Sequence, residues 1–145
     1  MASSLIFSRI NLSKTNYAEL DSWAHIKRPD IDQLNEIYKK YCRYKKFASV
    51  KPIFKSEYLD PNSDVIGYYD NNQLVAFSII KIYDAENIEC LQFAWDYANP
   101  KLRLGIRSLE NECALYKRLG YQYMYLGGAD KYKVKIAGFE ILGKL

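Results

Sequence analysis

The sequence predicts an α+β domain, with a mixed, mostly antiparallel sheet flanked by helices. Three observations carry this. Strand-like runs at 64–69, 73–83 and 86–97 follow one another across short turns, a long amphipathic stretch covers 101–119, and further short strands lie near both ends. A meander that feeds a helix and then another strand is the order of a sheet with helices packed on it. The 145 residues suit one domain over 1–145. Within it, 1–62 supplies a first strand and helices, and 63–145 the meander, the long helix and the closing strands.

Element by element, residues 3–12 read as the first strand and 16–25 as a short helix. Pro29, Asp30 and, three residues after the Asp, Gln33 form a helix-start pattern. Ile31, Leu34, Tyr38, Tyr41 and Cys42 then recur at helical spacing, which predicts a helix over 31–44. Residues 47–62 are loop-like, broken by Pro52 and Pro61. Asp70-Asn71-Asn72 is hairpin chemistry, since Asn tolerates the positive φ of a tight turn. In 86–97, alternation puts Leu91, Phe93, Trp95 and Tyr97 on one face and Cys90, Gln92 and Ala94 on the other. Asn99-Pro100 ends that strand. Leu102, Ile106, Leu109, Cys113 and Tyr116 stripe the following helix, and Gly120 suits the position just past its end. A strand at 121–126, a break at Gly127-Gly128, a short helix at 129–136 and a strand at 139–142 complete the chain. The strand-helix-strand unit over 86–126 predicts a right-handed parallel crossover.

Composition narrows the function. Apolar residues make up 49% and charged residues 26%, which is globular rather than disordered. The net charge of +4 accommodates a phosphate-bearing ligand or RNA without requiring one. The 14 tyrosines read as strand faces and core edges. Lys39, Lys40, Arg43, Lys45 and Lys46 spread over more than one helix face and read as solvated surface. Cys42, Cys90 and Cys113 form no C-x-x-C pair, so a reduced, cytoplasmic setting is expected. The single histidine, His25, excludes a His-rich metal site, and no metal is expected. No run approaches a membrane span and the N-terminus lacks a signal-peptide pattern, so no membrane role is expected.

The chemistry concentrates at the junction Tyr97–Arg107. A strand ends and a helix begins among Lys101, Arg103, Leu104, Gly105, Ile106 and Arg107. Helix N-termini carry unsatisfied N–H groups and the positive end of the dipole, glycine admits a ligand to the backbone, and basic side chains add charge. The junction therefore suits a pyrophosphate or an RNA phosphate, or else a solvated helix start.

The element order resembles the GNAT fold, in which the turn after the fourth strand cradles the pyrophosphate of coenzyme A. The usual pattern there is Q/R-x-x-G-x-G/A. Here Lys101 and Arg103 precede a single glycine, Gly105, and Arg107 stands at the second small position. Three stretches over 86–143 also resemble the C-terminal catalytic domain of the arginyl- and leucyl-tRNA–protein transferases, GNAT relatives that use aminoacyl-tRNA. They are Asp96-Tyr97 with Leu102-Arg103-Leu104-Gly105, Leu119-Gly120 with Tyr123-Met124-Tyr125-Leu126-Gly127, and Tyr132-Lys133 with Glu140-Ile141-Leu142-Gly143. Between the second and third stretches that family carries a longer aromatic loop, where this chain has only Gly128-Ala129-Asp130-Lys131.

The resemblance implies acyl transfer to an amine, first with acetyl-CoA or another acyl-CoA as donor. The alternatives are transfer from an aminoacyl-tRNA to a protein N-terminus, and a non-catalytic GNAT-like binding module. The acceptor would be an amine-bearing small molecule or a protein N-terminus; tRNA is a candidate partner and a homodimer a candidate assembly. The same resemblance puts a carbonyl-binding backbone N–H near Phe93–Trp95, the proton donor to the leaving group at Tyr132, and a phosphate contact at Lys133. Asp96 or Glu89 would be the general base; Asp96 has a capping role as its structural reading. Phe93, Trp95 and Tyr97 would line the acceptor pocket, or serve as core.

Overall fold

The computed structural model describes residues 6–46, 59–126 and 133–144. Seven strands form one sheet in the order β2-β3-β4-β5-β6-β1-β7. They are β1 (Ile6–Asn11), β2 (Trp23–His25), β3 (Ser63–Asp70), β4 (Gln73–Ile82), β5 (Asn87–Trp95), β6 (Tyr123–Leu126) and β7 (Phe139–Lys144). Among the described residues two α-helices, α1 (Ile31–Lys45) and α2 (Leu104–Arg118), accompany the sheet. All strand pairs are antiparallel except β5 with β6, the parallel pair expected across 86–126.

Each helix covers its own face of the sheet. Leu34, Ile37, Tyr38 and Cys42 of α1 pack with Val65, Phe77, Ile79 and Ala94. Leu104, Leu109, Cys113 and Tyr116 of α2 pack with Ile66, Tyr68, Ala76, Ile80 and Ile88. Successive strand residues alternate between these layers, as the period-two geometry of a strand requires. The signals at the helix ends act as expected. Asp30 accepts from the N–H groups of Asp32 and Gln33. Gly120, at φ 97°, takes the left-handed position, with its N–H on Lys117 O and the N–H of Tyr121 on Tyr116 O. Asn71 and Asn72, at φ 50° and 65°, make the β3–β4 turn.

Four sequence expectations are corrected. First, residues 16–25 are not a helix. Residues 23–25 instead form β2, pairing with Ile66–Tyr68 of β3. Tertiary bonds override the local helical signal in what precedes it: Leu20 N–H donates to Asn111 Oδ1 at 2.6 Å, and Glu19 pairs with Arg118. Second, the long helix starts at Leu104 rather than 101. Pro100–Leu102 form a 3-10 turn, and Arg103 sits left-handed at φ 50°. Third, in the span expected as a helix over 129–136, only the 3-10 turn Lys133–Lys135 is described, and residues 127–132 lie outside the described residues.

The fourth correction concerns β5. Its register against β4 steps from Ile79↔Gln92 to Ile80↔Cys90, so Leu91 is an extra residue. This bulge shifts the alternation by one. Ile88, Cys90, Phe93 and Trp95 all meet the α2 layer, while Leu91 joins the α1 layer. Cys90 therefore shares a face with Phe93 and Trp95 instead of opposing them.

Candidate active site at the β5 bulge

The described pairing of β5 with β6 runs from Asn87↔Tyr123 to Cys90↔Leu126. Where it stops, the bulge begins, and a pocket of about 140 Å³ opens. Its walls are Cys90, Leu91, Gln92 and Phe93 of β5, Tyr41 of α1, Gly105, Ser108, Leu109 and Glu112 of α2, and Lys133. The pocket lies beside 90–93, and of the Phe93–Trp95 stretch expected to offer a carbonyl-binding N–H, Phe93 lines it.

α2 faces the pocket with its first turn. Among the described residues no side chain caps the helix start at Arg103, and while Arg107 N–H donates to Arg103 O, the N–H groups of Leu104, Gly105 and Ile106 are open to an outside acceptor. Among the described residues, a Cβ built on Gly105 would meet nothing within 4 Å. The glycine thus leaves open space above a helix start, where an anion gains up to about 2 kcal/mol. Leu104 is buried in the core, Ile106 is half-buried, and Lys101, Arg103 and Arg107 are exposed around the turn.

Deeper in, α2 carries a carboxyl group that sequence reasoning missed. Glu112 is 1% exposed. Its Oε2 accepts from the Tyr68 hydroxyl at 2.5 Å and from Ser78 Oγ at 2.7 Å. Asn111 Nδ2 donates to the Tyr68 hydroxyl oxygen at 3.2 Å, which ties the network to the neighbouring turn of the helix. Burial drives the Glu112 pKa up to about 7, against the opposing pull of the two hydroxyl hydrogen bonds and of the nearby Lys133 charge. A carboxyl poised near neutrality on a pocket wall can exchange a proton with an amine. The available signal was positional. Ser108 and Glu112 are four apart on the face of Leu109 and Tyr116, where a solvated acid would not stand.

Cys90 also lines the pocket, but burial and the Glu112 charge push its thiol up to about 12. It stays protonated at neutral pH, which disfavours a covalent acyl-cysteine route.

The residues singled out from sequence divide. Phe93, Gly105 and Lys133 meet at the pocket. Asp96 does not line it; its Oδ1 accepts from Ala98 N–H at 2.9 Å and shapes the turn after β5. Glu89 lies on the paired part of β5, opposite Tyr125. Trp95 is 4% exposed and packs in the α2 layer, with Nε1 lacking a partner among the described residues. Tyr97 stacks on other aromatic rings rather than lining the pocket. Tyr132 lies outside the described residues. Among the described residues no cluster of His, Cys, Asp and Glu could hold a metal, and no helix is long and apolar enough to cross a membrane.

This sheet, parallel at one pair and with a bulge in β5 where that strand pairs with β4, has the GNAT fold, and solved structures agree. A GCN5-related N-acetyltransferase from Anabaena variabilis superposes with a TM-score of 0.72 at 9% identity, over 99% of this chain and 39% of that one. One from Kribbella flavida gives 0.60 at 13% identity, over 99% and 56%. The C-terminal domain of a putative lysylphosphatidylglycerol synthetase from Agrobacterium fabrum gives 0.60 at 13%, over 89% and 48%. The chain thus spans between about two fifths and three fifths of the length of these structures. No curated protein sequence matches it. Residues 22–136 match the family described as arginine-tRNA-protein transferase, C terminus, and the chain belongs to that family.

Proposed function

We propose that this domain moves an aminoacyl group from an aminoacyl-tRNA onto an amine, by direct attack of the amine on the ester carbonyl. The observation that carries the transfer is the convergence, at one opening in the sheet, of an uncapped helix start and a buried carboxyl with a pKa near 7. Family membership over residues 22–136 supports the tRNA donor.

In this reading the amine nitrogen bonds to the carbonyl carbon, and the bond from that carbon to the ribose oxygen breaks. Ionised Glu112 takes the proton the amine sheds. Backbone N–H groups on β5 beyond Cys90, which the described part of β6 leaves unpaired, polarise the carbonyl. The departing ribose oxygen needs a proton, and Tyr132, adjacent in sequence to the pocket-lining Lys133, is the proposed donor. Lys133, the first turn of α2 and the basic residues Lys101, Arg103 and Arg107 hold donor phosphate. The acceptor is an amine such as a protein N-terminus.

Gly105 favours a second reading, with acyl-CoA as donor, because open space over a helix start also suits a pyrophosphate. The deciding experiment offers the protein radiolabelled aminoacyl-tRNA or radiolabelled acetyl-CoA, together with a panel of peptide amines. Label passing to peptide from the charged tRNA alone is expected. Label passing only from acetyl-CoA would replace the first reading with the second, and transfer from neither would remove both.

A further inference from the structure

Aromatic rings run in contact from the pocket wall to the protein surface. Tyr41 and Phe93, both on the wall, meet edge to face with centroids 6.0 Å apart. Tyr41 lies parallel to Tyr97 at 6.1 Å, Trp95 tilts against Tyr97 at 4.3 Å, and Tyr97 stacks on Tyr44 at 3.7 Å with 13° between the ring planes. Tyr44 is the outermost ring and is 60% exposed. One of its faces rests on Tyr97, which leaves the other for solvent. The support is rigid: Tyr97 is held at φ 57°, a conformation uncommon for a bulky residue that persists only where the surroundings enforce it. A ring fixed in this way has little freedom left to lose when something binds on it.

The two chain segments that carry these rings also carry a rim of exposed cations. Lys40, Arg43, Lys45 and Lys46 are exposed at the C-terminal end of α1, and Lys101, Arg103 and Arg107 are exposed just beyond Tyr97 in the chain. Neither stretch contains a carboxylate, since no Asp or Glu occurs from residue 37 to 56 or from 97 to 109. An open aromatic face with exposed cations on both chain segments that carry its rings matches single-stranded nucleic acid, where bases stack and phosphates pair with Lys and Arg.

We propose that Tyr44 and this rim seat the single-stranded 3′ end of an RNA donor, with an unpaired base stacked on the open face of Tyr44 and its phosphates on the surrounding cations. The proposal rests on the aminoacyl-tRNA reading and names where that donor is gripped. The ring ladder ties the seat to the pocket, since Tyr97 touches both Tyr44 and the pocket-lining Tyr41.

The test measures binding of the full chain, by fluorescence anisotropy, to an RNA hairpin ending in single-stranded CCA and to the same hairpin cut blunt. Tyr44→Ala is expected to weaken binding of the overhang RNA about 5- to 100-fold, as loss of one base stack does. Tyr44→Phe is expected to keep it, and the blunt hairpin to be indifferent to either change. Lys45→Gln should lower the slope of log affinity against log salt by about 0.7. Thermal unfolding of the variants should match the wild type, because the ring is mostly exposed. If Tyr44→Ala binds the overhang as the wild type does, while the wild type transfers from charged tRNA, the seat is wrong and the donor reading stands. An equal loss on the blunt hairpin also overturns base stacking. Transfer from acyl-CoA with no binding of RNA by the wild type removes both.

Discussion

Replacing Glu112 by Gln tests the buried carboxyl through stability and chemistry at once. Glutamine keeps the shape and an oxygen that can accept from Tyr68 and Ser78, but it cannot ionise. In the folded wild type the Glu112 pKa is raised to about 7 from the ordinary 4.5, mainly by desolvation. Between those values the unfolded chain has lost this proton and the folded protein still holds it, so stability falls as pH rises. The gap corresponds to about 3 kcal/mol, fully felt above pH 7. The variant lacks that penalty. Urea unfolding of both proteins from pH 4.5 to 8 should therefore show the Gln variant gaining on the wild type by up to about 3 kcal/mol, with most of the change between pH 5 and 7. Transfer should respond in the opposite sense. Wild-type kcat/KM should climb with pH through about 7, and the variant should lose about 100-fold or more together with that limb of the profile. A stability difference that stays flat across this range would refute the raised pKa. An unchanged kcat/KM profile would refute the base.

Three further outcomes are expected. Gly105→Leu places its Cβ where no described residue comes within 4 Å, so the unfolding midpoint should hold while transfer and donor affinity fall at least tenfold; a lowered midpoint would show the space is packed. Tyr132→Phe should reduce kcat about 100-fold with little change in KM, and full activity would remove it as proton donor. Gly138→Ala should cost more than about 2 kcal/mol in urea unfolding, since φ there is 79° and its Cβ would lie 2.4 Å from the carbonyl oxygen of Asn11; a neutral result would refute that close approach.

What could be read from the sequence was local. Asp30 and Gly120 mark helix ends because capping needs only neighbouring backbone groups, and Asn71-Asn72 marks its turn because few residues accept that backbone. The start of α2 around Gly105 was also legible, as charge and glycine at a strand-to-helix junction. The rest depends on partners distant in the chain. β2 exists because β3 offers it an edge, and Gly67 leaves room there for Ile26, which a Cβ would approach to 2.6 Å. Glu112 reads as one more helix acid until Tyr68 and Ser78, more than 30 residues away, close around it. The bulge leaves no mark in composition, since every residue from Cys90 to Trp95 is acceptable in a regular strand.

That one additional residue in β5 carries an evolutionary consequence. Which layer Phe93 and Trp95 face is encoded by a count, the number of residues facing Ile79 and Ile80, and not by the identity of a side chain. A substitution in the strand leaves that phase alone, whereas the loss of a single codon would re-phase Phe93 and Trp95 onto the wrong layer. Selection on such a site acts on spacing. The fold itself is shared with a solved structure at 9% identity.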